Sequence, residues 1–274
     1  MKLVAICMVR DEEYWVWYAL QSVAAFVDEI LLFDNHSRDQ TLSIVGQLGD
    51  LGGKLHVRAE FGGDSEQENR EACLDAARAR EATHILFLDG DEVHNDRDLG
   101  FARRLLEVTE HHPPLNDPPD NDRPPFDHNP SDGVLIKQIG FKPVHPGFEG
   151  PRTSIPHDLA QPDTDHGCYN FAIRIAQLAG LRGNGKEWGQ HGYWESNDSC
   201  IQSSAYTLWC PRLFYHHFTH HPRSPLRDPN TNTWIRPVRD FGSVPPRAGV
   251  ELPSVLFRTD GPGNPTLRAW GLRT

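Results

Sequence analysis

The stretch "HILFLDGDE", His84 to Glu92, runs from apolar residues straight into three carboxylates. Acids are rarely set beside a buried strand without a partner. Gly90 permits a tight backbone, so Asp89 and Asp91 can face one point. Paired hard oxygen ligands suit Mg2+ or Mn2+, which keep waters and bridge to phosphates. An EF-hand calcium loop would need an acid or Asn at position 93 and Gly at 94; Val93 and His94 exclude it.

A second chemistry fits the same residues. "LFLDGDEV" matches the strand end of haloacid-dehalogenase-type phosphatases, with Asp89 as nucleophile and Asp91 as acid/base. That fold also needs paired acids after a later apolar strand. No Asp-Asp pair occurs downstream, and the acids between Asp117 and Asp132 sit among prolines. The phosphohydrolase stays an alternative.

The elements that must carry these acids alternate regularly. Apolar strands are expected over Leu3–Val9, Glu29–Asp34, Lys54–Phe61 and His84–Asp89. Helices are expected over Glu13–Phe26, from Ser37 or Asp39 as N-cap to Leu48, over Ser65–Ala82 with Ala72, Ala76 and Ala79 near one face, and over Leu99–His111. This order predicts an α/β fold, a mostly parallel sheet with helices on both faces. Ligands of such sheets bind outside the carboxyl ends of the strands. Asp11 and Glu12, Asp34, and Asp89 with Asp91 all fall there. The plainer alternative is that they are helix caps and solvated loop acids.

Beyond residue 111 the pattern weakens. His111–Gly133 is rich in Pro, Asp and Asn and reads as a long loop that could order over a bound ligand. A strand resumes over Gly133–Phe141, and Tyr206–Phe218 reads as one or two more. The last fifty residues are Pro-rich and are expected to wrap the surface or cover a site. The division is a binding half at 1–112, a Pro-rich loop at 113–132, and a smaller, irregular half with a tail at 133–274, all in one continuous domain.

Bulk properties exclude other classes. A formal net charge of -11 argues against nucleic acid as the main partner. Five cysteines without a CxxC suggest free thiols in a reducing compartment, hence a cytoplasmic protein. No apolar run approaches the ~18 residues of a membrane span.

Taken together, "MVRDEEYWVWYALQSVAAFVDEILLFDNHSRDQT" and "NREACLDAARAREATHILFLDGDE" resemble the nucleotide-binding half of GT-A fold glycosyltransferases, in particular the family 2-like group. The resemblance covers roughly the first hundred residues. It implies transfer of a sugar from a nucleotide donor, foremost a UDP-sugar, to a hydroxyl of a soluble acceptor, a small metabolite, natural product or carbohydrate, with inversion. It implies that the strand-one turn (Val9, Arg10, Glu12) lies near the nucleotide, that Asp34 contacts the base, and that Asn35 shapes that turn. Arg70 would hold the base or diphosphate, Asp89 with Gly90 would reach the ribose or metal-bound water, and Asp91 would ligate Mn2+ or Mg2+. A further metal ligand is expected from "YHHFTHH", His217 first and His216 second, since His217 shares a strand face with Tyr215. The base that deprotonates the acceptor is expected at Glu187, with Glu195 and Asp198 as alternatives. Trp188, Tyr193 and Trp194 could offer a platform to a sugar face. A clear acidic pair and a QxxRW-like motif, common in family 2, are not evident. A sugar-nucleotide-binding module without catalysis is the remaining alternative.

Overall fold

Four apolar runs become four parallel strands: β1 (Leu3–Val9), β2 (Glu29–Asp34), β3 (Leu55–Arg58) and β4 (His84–Asp89). The computed structural model describes residues 1–59, 61–62, 65–111, 138–144, 172–179, 181–183, 194–196, 199–200, 207–218, 221–226 and 251–272. Strands β5 (Glu92–His94), β6 (Gln138–Val144), β7 (Ala172–Gln177) and β11 (Thr207–His217) complete an eight-stranded sheet of order β3-β2-β1-β4-β7-β6-β11-β5. Here β7 runs antiparallel to β4 and β6, β5 antiparallel to β11, and β6 parallel to β11. Three short strands, β8 (Leu181–Gly183), β9 (Trp194–Ser196) and β10 (Ser199–Cys200), form a separate antiparallel sheet.

The helices lie on both faces, because β1 is apolar on both. Its residues Leu3, Ala5, Cys7 and Val9 pack with α1 (Val16–Val23), α2 (Thr41–Gln47) and α4 (Asp96–His111). Val4 and Ile6 face α3 (Glu66–Ala79). Ser65 caps α3 with a full capping box: its hydroxyl accepts from Glu68 N at 3.2 Å while its own N–H donates to Glu68 Oε2 at 3.0 Å. The buried stripe of α3 is Cys73, Leu74 and Ala77; Ala72 and Ala76 lie at its margin and Ala79 is exposed, so the expected alanine face is rotated. The N-cap position of α2 falls on Gln40, but Asp39 still serves the helix start, its Oδ1 accepting from Thr41 N at 2.9 Å, whereas the Ser37 side chain is engaged elsewhere. Ser37 Oγ accepts from Asp11 N at 2.9 Å, and Asp39 Oδ2 from Glu13 N at 3.2 Å.

Helix α1 is buried on nearly every side, with Val16–Leu20, Ser22 and Val23 all inaccessible. The second wall is the chain terminus, where a 3-10 turn (Ser254–Phe257) precedes α5 (Pro265–Ala269). Tyr18 Oη donates to Pro262 O at 2.9 Å and Asn264 Nδ2 to Tyr14 O at 2.6 Å. The late segment thus wraps α1. The expected loop at 113–132 lies outside the described residues, as do residues 133–137 of the expected strand.

Candidate functional site

The parallel register brings the acids level. Val9 pairs with Asp34 on one side of β1, and Met8 pairs with Asp89 on the other. The chain builds β1, β2 and β3 in one direction and then crosses to β4, so the order reverses between β1 and β4. That reversal point, at the carboxyl ends, is where open α/β sheets place their ligands.

The turns after β1 and β2 are tied to each other. Glu12 N donates to Thr41 Oγ1 at 2.8 Å, Arg38 N to Asp11 Oδ1 at 2.8 Å and Gln40 N to Glu13 Oε2 at 2.9 Å. Asp11 is held at φ 52°, a left-handed conformation uncommon for a non-glycine residue. Asn35 N donates to Val9 O at 2.8 Å, and Phe61 N to Asp34 O at 2.8 Å. Asp34 is 1% exposed; its Oδ2 accepts from Ser37 N at 3.1 Å, and its Oδ1 has no hydrogen-bond partner among the described residues. A buried, unspent carboxylate oxygen at a strand end is an acceptor waiting for a donor.

Gly90 is required by close approach. A Cβ there would lie 2.9 Å from Val9 Cγ1 and 2.8 Å from Glu12 Cγ, atoms near the backbone that cannot swing away. Gly90→Ala is therefore expected to cost about 1–3 kcal/mol of stability through overpacking. Chemical denaturation measures this; a loss under half a kilocalorie would show that the contact yields.

Only Gly90 and Asp91 separate β4 from β5, so the far edge of the sheet folds back beside β4 at this end. His217 stands opposite Glu92 in the β11–β5 ladder. Asp98 Oδ2 accepts from Phe214 N at 2.9 Å and pins β11 to α4. Ligand atoms of Asp89, Glu92 and His217 lie within 4.8 Å of one another. Asp91 is fully buried, and neither carboxylate oxygen has a hydrogen bond among the described residues. His217 Nε2 is 3.5 Å and Arg223 Nε 3.3 Å from Asp91 Oδ2. Two carboxylates with an imidazole, beside a buried carboxylate lacking hydrogen bonds, fit a hard divalent cation such as Mn2+ or Mg2+.

Glu92 and Arg223 were not anticipated from the sequence. Arg223 Nε donates to Glu12 Oε2 at 2.7 Å, and Nη2 donates to Glu12 Oε1. Burial opposes charge on this guanidinium, but Asp91, Glu12 and Asp89 outweigh it and hold it protonated. Burial, and then the same acids with Glu92, push the Cys7 thiol well up, so it is no nucleophile.

The remaining expected residues are placed as follows. Arg10 is exposed, Asn35 half-buried, and Arg70 buried on α3. His216 is 1% exposed and lies opposite Val93, outside the Asp89–Glu92–His217 group. Glu195 lies on β9, where its backbone pairs with Arg182 and Cys200. Glu187 and Asp198 lie outside the described residues, as do Trp188 and Tyr193.

The pattern described as glycosyl transferase family 2 matches residues 4–113. No curated protein matches the chain. Among solved structures, TarS of S. aureus is 16% identical, covering 80% of this chain and 37% of its own, with a TM-score of 0.48. TarS 1–349 in complex with UDP-GlcNAc is 23% identical over 47% of this chain and 39% of its own, with a TM-score of 0.35. The glucosyl-3-phosphoglycerate synthase of Mycobacterium tuberculosis, in complex with Mn2+ and UDP-glucose, is 16% identical over 65% and 56%, with a TM-score of 0.36. The chain therefore spans less than two thirds of each of these proteins. Residues 4–113, which carry the acid-bearing turns after β1, β2 and β4 of this α/β fold, are similar to glycosyl transferase family 2.

Proposed function

We propose that this protein is a metal-dependent glycosyltransferase that moves a sugar from a nucleotide-sugar donor to a hydroxyl of a small soluble acceptor, with inversion. The observation that carries the reading is the meeting of Asp89, Glu92 and His217 beside Asp91, at the carboxyl end of a family 2-like sheet. The donor half would be residues 1–112 and the acceptor half residues 133–274. The setting expected from the free cysteines is cytoplasmic.

Asp34 is the base reader: its open Oδ1 would accept an N–H from the nucleobase, and uracil offers one at N3. Asn35 and the turn from Val9 to Glu12 shape the nucleotide's surroundings, with Arg70 supporting from α3. Asp89, Asp91 and His217, joined by Glu92, would hold Mn2+ or Mg2+; His216 is the second histidine candidate. When bound, the cation offsets the charge that the departing diphosphate gains. Deprotonation of the acceptor hydroxyl falls to a carboxylate of the acceptor half, Glu187 first, then Glu195 or Asp198.

A thermal-shift panel of UDP, GDP, CDP, dTDP and ADP, each with Mn2+, Mg2+ or EDTA, tests the donor site. At ~100 times its dissociation constant a ligand adds roughly 2.7 kcal/mol of stability. The expected result is a shift with UDP that EDTA removes. No shift with any nucleotide would overturn the reading, and a shift with another base alone would reassign Asp34.

A further inference from the structure

Arg223 is a cation fixed inside a group of acids. Its guanidinium forks onto Glu12, and its Nε also lies 3.3 Å from Asp91 Oδ2. Side-chain exposure is 17% for Arg223 and 1% for each acid, so this is no loose surface pair. The backbone fixes it further. Arg223 O accepts from Tyr14 N at 3.0 Å, and the preceding Pro222 O accepts from Trp15 Nε1 at 2.9 Å.

A divalent cation held by Asp89, Glu92, His217 and Asp91 would neutralise some of the same charge. Two cations drawn to one buried carboxylate repel each other, and the cost grows as water is excluded. A donor diphosphate brings new negative charge and relieves that repulsion.

We propose that Arg223 is a tethered counter-cation of the metal-free site: it neutralises Glu12 and Asp91, weakens the binding of a divalent ion on its own, and so makes tight metal binding depend on the donor. The proposal rests on the metal-dependent reading above. It assigns Arg223 a positioning role, setting the order in which charges enter the site. The coupling is reciprocal, so what the nucleotide does for the metal the metal does for the nucleotide.

The test is Mn2+ titration followed by electron paramagnetic resonance, with and without UDP, together with thermal unfolding. Arg223→Gln is expected to bind Mn2+ alone at least about fivefold more tightly than wild type, near the low end of typical coupling. UDP should then tighten Mn2+ less than it does in wild type. A purely structural Arg223 predicts instead a lower melting temperature with unchanged Mn2+ affinity.

Arg223→Gln removes the guanidinium forked on the buried Glu12, so the double variant Glu12→Gln/Arg223→Gln removes both charges together. Its net site charge equals that of wild type, yet Asp91 loses its competitor. Tighter Mn2+ binding in the double variant supports the proposal even if the single variant fails to fold. Equal or weaker binding in the double variant overturns it. No Mn2+ binding by any of these proteins, with UDP or without, overturns the metal-dependent reading itself, and the proposal falls with it.

Discussion

Asp91→Asn is expected to reduce metal-dependent sugar transfer by at least ~100-fold, in line with the loss of one group stabilising developing charge. It should unfold at the same temperature as wild type or higher. The two halves have one cause. Asp91 is fully buried, neither oxygen accepts a hydrogen bond among the described residues, and Glu12, Asp89 and Glu92 crowd the same end of the sheet. A buried carboxylate without hydrogen bonds, among like charges, burdens the fold, and its charge contacts with Arg223 at 3.3 Å and His217 at 3.5 Å only offset that burden. Arg223 stays forked on Glu12 after the substitution, so no buried cation is stranded. Asparagine keeps the volume and removes the charge. Initial rates in Mn2+ and a melting curve on the same preparation measure both halves. Full metal-dependent turnover by Asp91→Asn would remove Asp91 from the site. Lost turnover with a large fall in melting temperature would mark Asp91 as structural instead.

The donor half of the fold was legible because its signals are local. Four apolar runs, each ending at an acid or turn, gave β1 to β4. Parallel pairing then put Asp34 and Asp89 beside the end of β1 without further information. Gly90 was readable as a demand for a tight backbone, although the cause is its contact with Val9 and Glu12. Glu92 was hidden by its neighbours: the Asp-Gly-Asp spacing alone already suggests a metal site, without the acid that opens β5. That strand is only three residues long and carries no periodicity of its own. Arg223 had no local signal at all. It sits in "HHPRSP", between histidines and prolines, 211 residues from the glutamate it binds. The path of β11 across the sheet carries the chain to that glutamate, and the start of α1 then holds it there through Tyr14 N and Trp15 Nε1. The short strands β8 to β10 escaped for the reason β5 did, since two or three residues cannot display an alternation that stands out from loop composition.

That long-range placement hangs on one aromatic ring, and Trp15→Ala is expected to cost about 3–5 kcal/mol, a large share of a typical domain's stability. Trp15 is fully buried at the start of α1, and its ring stacks on Phe218 at 3.7 Å and 11°. His221 meets it edge-on at 6.0 Å, and its indole N–H donates to Pro222 O at 2.9 Å. Phe218 N in turn donates to Asp91 O at 2.9 Å, so the same segment closes over the turn that carries Asp91. Removing the ring opens a cavity and frees Phe218, which adjoins His217, together with residues 221–223, which include Arg223. Trp15→Phe separates the two effects: it keeps a stacked ring and leaves the Pro222 carbonyl without its donor, at about 1–3 kcal/mol. Urea denaturation measures both. The expected order of midpoints is wild type, then Trp15→Phe, then Trp15→Ala, with Mn2+ and UDP affinity falling in the same order. A Trp15→Ala protein within one kilocalorie of wild type would show that the stack does not hold the segment. A protein destabilised as expected but with unchanged Mn2+ and UDP affinity would show that His217 and Arg223 are positioned by β11 and its pin to Asp98, and not from α1.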